Sequence, residues 1–149
     1  MNKEEIHLAT LSNLESRIAS LKVILEDSFG AAASNDAKSS AGDKHETGVA
    51  MAHLEQEKLT KQVNELLLQQ ELLQKINPSL AHSKIGLGSL VKTNKGWFYF
   101  SIGLGAIEIA NETVFAINPK APLGQLLLGK TVNEFVKFNG ATTEIIEVL

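Results

Sequence analysis

Cysteine is absent from this chain of 149 residues. Disulfide scaffolds, thiol catalysis and Cys-ligated zinc are therefore excluded. Proline occurs three times, all at or after residue 78, and aromatic residues make up only 5%. A basic excess is missing too: 14 Lys and Arg stand against 17 Asp and Glu, a net charge of −3. Binding nucleic acid mainly through its phosphates needs a basic surface, so that class is disfavoured. No uninterrupted apolar run approaches the roughly 18 residues of a membrane span. The chain opens MNKEEIHLATL, with no apolar run behind a basic start, so no secretory leader is expected. Hydrophobic residues at 44% and charged residues at 21% match an ordinary globular protein. These absences predict a soluble, acidic, cytoplasmic protein without membrane association.

Composition changes near Pro78. Residues 1–78 carry 8 basic and 12 acidic side chains, while residues 79–149 carry 6 and 5. Of the aromatic residues only Phe29 precedes the change. The segment Asn77-Pro78-Ser79-Leu80-Ala81-His82-Ser83 reads as a helix stop and linker, because proline cannot continue a helix. The predicted organisation is a helical module over 1–78, a linker over 79–84 and a β-rich domain over 85–149.

In the first module Leu11, Leu14, Ile18, Leu21 and Leu25 recur at alternating steps of three and four. Leu59, Val63, Leu66, Gln70 and Leu73 do the same. This is coiled-coil seam spacing, with helix formers between the seam positions. From Phe29 to Gly48 the pattern lapses into small and polar residues, which predicts a turn region. Two such helices bury their seams most economically as an antiparallel hairpin with an exposed tip near 36–47. Gln56 and Gln70 read as register devices within the second seam.

The second half predicts strands over 88–93, 96–101, 106–109, 113–117 and 144–149, rich in Val, Ile and aromatics. Turn signals separate them at Asn94-Lys95-Gly96, Gly103 and Gly105, Asn111-Glu112 and Asn139-Gly140. Leu123-Gly124-Gln125-Leu126-Leu127-Leu128 reads as a short helix between Pro122 and Gly129. The expected domain is a small α+β unit, one sheet on one short helix. Trp97-Phe98-Tyr99-Phe100 is best read as core. His7, His45, His53 and His82 share no metal spacing and read as surface or interface residues. Gly86-Leu87-Gly88 lacks the third glycine and the helix of a dinucleotide loop.

Two segments carry a family resemblance. One is Gly42-Asp43-Lys44-His45-Glu46-Thr47 at the hairpin turn; the other is Ala121-Pro122-Leu123-Gly124-Gln125-Leu126-Leu127-Leu128-Gly129-Lys130. In order and spacing the chain resembles the bacterial Gre transcript-cleavage and elongation factors. That family joins an antiparallel coiled coil with a G-D-x-x-E-N-like tip to an FKBP-like domain with an S-P-[IL]-G-x-x-L-[IL]-G-K-like segment.

The resemblance implies a monomer that binds RNA polymerase through its C-terminal domain, at Pro122, Leu123, Gly124, Gly129 and Lys130. The coiled coil would enter the secondary channel, where Asp43 and Glu46 would help hold a magnesium ion shared with the polymerase. The isolated protein is expected to bind none tightly. The polymerase itself would then cleave the 3′ end of backtracked RNA, so the protein touches nascent RNA only indirectly and is not an enzyme. Magnesium takes oxygen ligands and keeps several waters, so two carboxylates suffice when the rest of the site comes from elsewhere.

Asp43 and Glu46 also fit a capping box, in which both side chains accept bonds from free helix-terminal N–H groups. After Glu46 the chain reads Thr47-Gly48-Val49-Ala50-Met51-Ala52, without the aromatic and second acidic group usual in the family. Lys38, Lys44, His45 and His53 supply basic groups near the tip, read as solvated. The alternatives are a channel-binding regulator without cleavage activity and a self-associating coiled-coil scaffold; a stand-alone prolyl isomerase ranks last.

Overall fold

The structure is a computed structural model describing the backbone of residues 1–37 and 42–149 and the side chains of 1–29 and 48–149. Its elements are α1 (Lys3–Ala37), α2 (Gly42–Lys75), β1 (Leu90–Thr93), β2 (Gly96–Phe100), β3 (Gly105–Ile109), β4 (Glu112–Ile117), α3 (Pro122–Leu127), β5 (Phe135–Phe138) and β6 (Ala141–Val148). Two long helices thus precede a mixed six-stranded sheet. By packing, the chain divides into two compact units: Glu15–Leu68, and Met1–Leu14 together with Gln69–Leu149. Among the described residues no helix is long and apolar enough to cross a membrane.

Both helices follow from the seam spacing. In the Glu15–Leu68 unit Ile18, Leu59 and Val63 are buried, and Leu21, Leu25 and Leu66 are half-buried. No described seam position is fully exposed. Gln56 is buried among them, and its Nε2 donates to the Ser28 carbonyl oxygen at 3.2 Å. One polar residue tied across a helix pair disfavours sliding, because a shifted register would strand a buried amide. The expected turn region from 29 to 48 is too wide. The helical backbone runs on to Ala37 and resumes at Gly42. Ala31-Ala32-Ala33 explains the extension, since alanine is the best helix former whether or not it belongs to a seam.

In the second unit α1 starts at an Asn2 cap, whose Oδ1 accepts from the backbone N–H groups of Glu4 and Glu5 at 2.9 and 3.3 Å. Glu4 and Glu5 favour the positive end of the helix dipole. α2 ends at Lys75, and Leu80 N–H bonds the Asn77 carbonyl oxygen in a turn around Pro78.

The sheet order is β3-β4-β2-β1-β6-β5. β2 and β4 are parallel, and the other neighbours antiparallel. Five strands lie where the alternation predicts them, within a few residues at each end. β5 is an addition: it forms a hairpin with β6 across Asn139-Gly140, both at positive φ. One sheet face packs Val91, Phe98, Phe100, Val136 and Ile145 around Leu127 of α3. The expected two-layer domain is incomplete, because the opposite face is covered as well. Tyr99, fully buried, meets His7 of α1 there, and Ile6, Thr10 and Leu73 of the helix ends are fully buried too.

The β3–β4 turn lies at Ala110-Asn111, one residue earlier than expected, because Ile109 pairs with Glu112. Both turn residues have positive φ, 50° and 65°, as a two-residue type I′ turn requires. Alanine is strained there. Ala110→Gly is expected to raise stability by roughly 0.5–1 kcal/mol, read as a higher urea midpoint with unchanged slope.

Candidate functional site

Asp43 and Glu46 fall in the first turn of α2, three positions apart. Positions at that spacing share one helix face. Their side chains, with those of Lys44 and His45, lie outside the described residues, as does Lys38. His53 is exposed about two turns beyond Glu46 and lines an open groove of about 630 Å³ with Phe29, Gln56, Glu57, Lys61 and Leu68. Among the described residues no group of three or more His, Asp and Glu is gathered for a metal.

The Pro122–Lys130 segment is described in full. Pro122 stands at the first helical position of α3, where its missing N–H costs nothing. Leu123 packs against the core. Gly124 is buried, and an added Cβ would meet the carbonyl oxygens of Asn118 at 2.5 Å and Pro119 at 2.9 Å. Gly129 has φ +79°, the left-handed backbone that ends helices. Gly129 N–H donates to the Ile85 carbonyl at 2.7 Å, and Ile85 N–H returns a bond to the Lys130 carbonyl at 2.9 Å. The motif is therefore clipped to the start of the sheet domain by two backbone bonds.

This segment also presents apolar surface. Leu126 is 42% exposed, Leu128 47%, and Phe135 on the neighbouring β5 61%. Sequence reasoning missed these residues. The signal was present: four leucines crowd into a six-residue helix and its cap, and so short a helix has room to bury only one side. α3 fully buries Leu127.

A second polar arrangement lies where α1 meets the sheet. His7 Nδ1 and Tyr99 Oη are 2.7 Å apart, and the rings meet edge to face. With the phenol donating, the proton of the neutral imidazole sits on Nε2. Burial pushes the Tyr99 hydroxyl well above its ordinary range and His7 below its own. Of the surface or interface position expected for it, His7 takes the second, buried at 8% exposure where α1 meets the sheet. Tyr99→Phe leaves the buried ring nitrogen without its partner, and is expected to cost about 1–3 kcal/mol in thermal or urea unfolding. Phe98 and Phe100 are sealed in the core as expected, while Trp97 is half-buried with Lys92 Nζ 5.6 Å above its ring. No protein-family model matches the chain, and no curated protein matches it either.

Proposed function

We propose that the protein is a Gre-like transcription factor that delivers Asp43 and Glu46 to the active site of RNA polymerase and stimulates cleavage of backtracked RNA. The observation that supports this reading is the start of α2. The Gly42–Glu46 segment opens a 34-residue helix that follows one of 35 residues. At about 1.5 Å per residue each helix is roughly 50 Å long, the length of a probe for a deep channel. The mixed six-stranded sheet unit follows the helices in the expected order, and on this reading it is the FKBP-like domain. Its Pro122–Lys130 segment, with exposed Leu126 and Leu128, is the proposed polymerase-binding surface.

Two carboxylates three positions apart in a helix's first turn suit a magnesium ion whose remaining ligands come from the polymerase and from water. When bound, the ion supplies an activated water and stabilises the reacting phosphate oxygens. The chain's own part is to carry the two carboxylates and to bind the polymerase through Pro122, Leu123, Gly124, Gly129 and Lys130.

The test is RNA shortening in backtracked elongation complexes with magnesium and a bacterial RNA polymerase. Shortening from the 3′ end on addition of the protein supports the reading. Binding with altered elongation but no shortening makes the protein a channel regulator, whose acidic pair serves as a helix cap. Absence of binding overturns the transcription reading and favours the scaffold.

A further inference from the structure

We propose that the first two turns of α1 are fastened to the sheet unit by two histidine clasps, His7 on Tyr99 and His82 on Lys3, and that acidification opens both. The proposal does not rest on the transcription reading.

The geometry places both imidazoles where a proton is unwelcome. His7 is buried beside Ile6 and Thr10, and its Nδ1 meets the Tyr99 hydroxyl at 2.7 Å. His82 is half-buried, and its Nδ1 stands 3.2 Å from Lys3 Nζ, which also donates to the Leu80 carbonyl. An ammonium group can only donate, so His82 Nδ1 must accept, and the ring must be neutral. A proton added at that nitrogen would set two cations against each other. The other charged groups nearby offer little compensation. Glu4 and Glu5 are exposed at the start of α1, with Glu4 accepting from Ser79 Oγ at 2.9 Å. Tyr99 is the titratable group β2 presents to His7, and Lys3 is the charge that faces His82.

The direction follows from the ordinary histidine value near 6.5. Burial lowers His7 below it; burial and then the Lys3 charge lower His82, against a smaller upward pull from the backbone carbonyls of Leu80 and Leu87. A group with a lowered folded value contributes fully above 6.5. As pH falls below 6.5 the opened state takes up protons first, and the contribution is lost. Each histidine then favours opening by up to about tenfold per pH unit, and the two together by up to about a hundredfold. Two clasps on one short stretch of helix make the response steeper than a single buried histidine allows.

The test is amide hydrogen exchange on the full chain at pH 7.5 and 5.0, corrected for intrinsic rates. Protection of residues 6–10 is expected to fall at least tenfold at the lower pH, while Val91, Phe98 and Val114 in the sheet hold theirs. In His7→Gln/His82→Gln the pH difference should vanish. An equal fall in the double variant, a fall shared by the sheet, or no fall in the wild type overturns the proposal. Should the double variant not fold, NMR titration of the wild-type imidazoles decides. Both must titrate below 6.5, and a value at or above 6.5 for either overturns it.

Discussion

Asp43→Ala/Glu46→Ala is expected to lose stimulated RNA cleavage by about a hundredfold or more while binding polymerase as the wild type does. The size follows from what a metal ion contributes to phosphoryl hydrolysis, several kcal/mol of stabilisation, with each 1.36 kcal/mol worth tenfold in rate. Single variants separate the roles. A carboxylate that only caps a helix is replaced well by Ser or Asn, whose side-chain oxygens accept the same backbone bonds. Asp43→Asn should therefore keep helix stability and still lose cleavage if the charge holds metal. If Asp43→Asn cleaves as well as the wild type, the acidic pair is structural and the channel regulator becomes the better reading. The binding control matters, because loss of polymerase affinity would imitate loss of chemistry.

Gly124→Ala is expected to be the most damaging single methyl in the sheet domain, at roughly 2–3 kcal/mol and a fall in Tm of about 8–12 °C. The contacted atoms are the backbone of Asn118 and Pro119, not the ends of flexible side chains. The Asn118 carbonyl is moreover engaged by Ala121 N–H at 2.9 Å, so it has little freedom to withdraw. Gly129→Ala provides the contrast. Its φ of +79° strains an L-residue, but nothing lies within 4 Å of an added Cβ. Its cost should stay near 1 kcal/mol. A reversed order of the two variants in a thermal melt would mean that α3 shifts readily off Asn118. On the proposed function Gly124→Ala also weakens polymerase binding, because Leu126 and Leu128 would no longer be held in place.

The helices were legible because their seam needs only period and composition. Leu14, Ile18, Leu59, Val63 and Leu73 all turn inward where the spacing puts them. Their ends were less legible. Ala31–Ala33 belong to no seam, yet helix propensity carries α1 through them. β5 escaped for a different reason. Phe135-Val136-Lys137-Phe138 is short and ends in a phenylalanine, and only Val136 is buried, so it reads weakly as a strand. The Asn139-Gly140 turn was the stronger clue, since an Asn-Gly pair implies a strand on each side. Tyr99 shows the limit of alternation. Strict alternation assumes one covered face, whereas β2 is covered on both, and its run of aromatics is the mark of that.

The site was legible in unequal parts. Pro122 and Gly129 bracket α3 by backbone chemistry alone. The metal-holding role proposed for Asp43 and Glu46 rests only on the family resemblance, because an acidic pair at a helix start serves capping equally well. His7 and Tyr99 are ninety-two residues apart. No local pattern joins them, and only the packing of α1 on β2 brings the pair together.

The strand order has a kinetic consequence. β1–β2, β3–β4 and β5–β6 are each local hairpins, which close in microseconds. The sheet becomes continuous only through β2 on β4 and β1 on β6. Val91 of β1 must wait for Val148 of β6, 57 residues further along the chain, so the β1–β6 pairing forms after the local hairpins. Docking of preformed hairpins should limit folding, as loop-closure entropy is met before distant contacts repay it. Until then β1 exposes an unpaired edge. A chain cut before Ala141 keeps that edge open and should aggregate, even with every residue of both long helices in place.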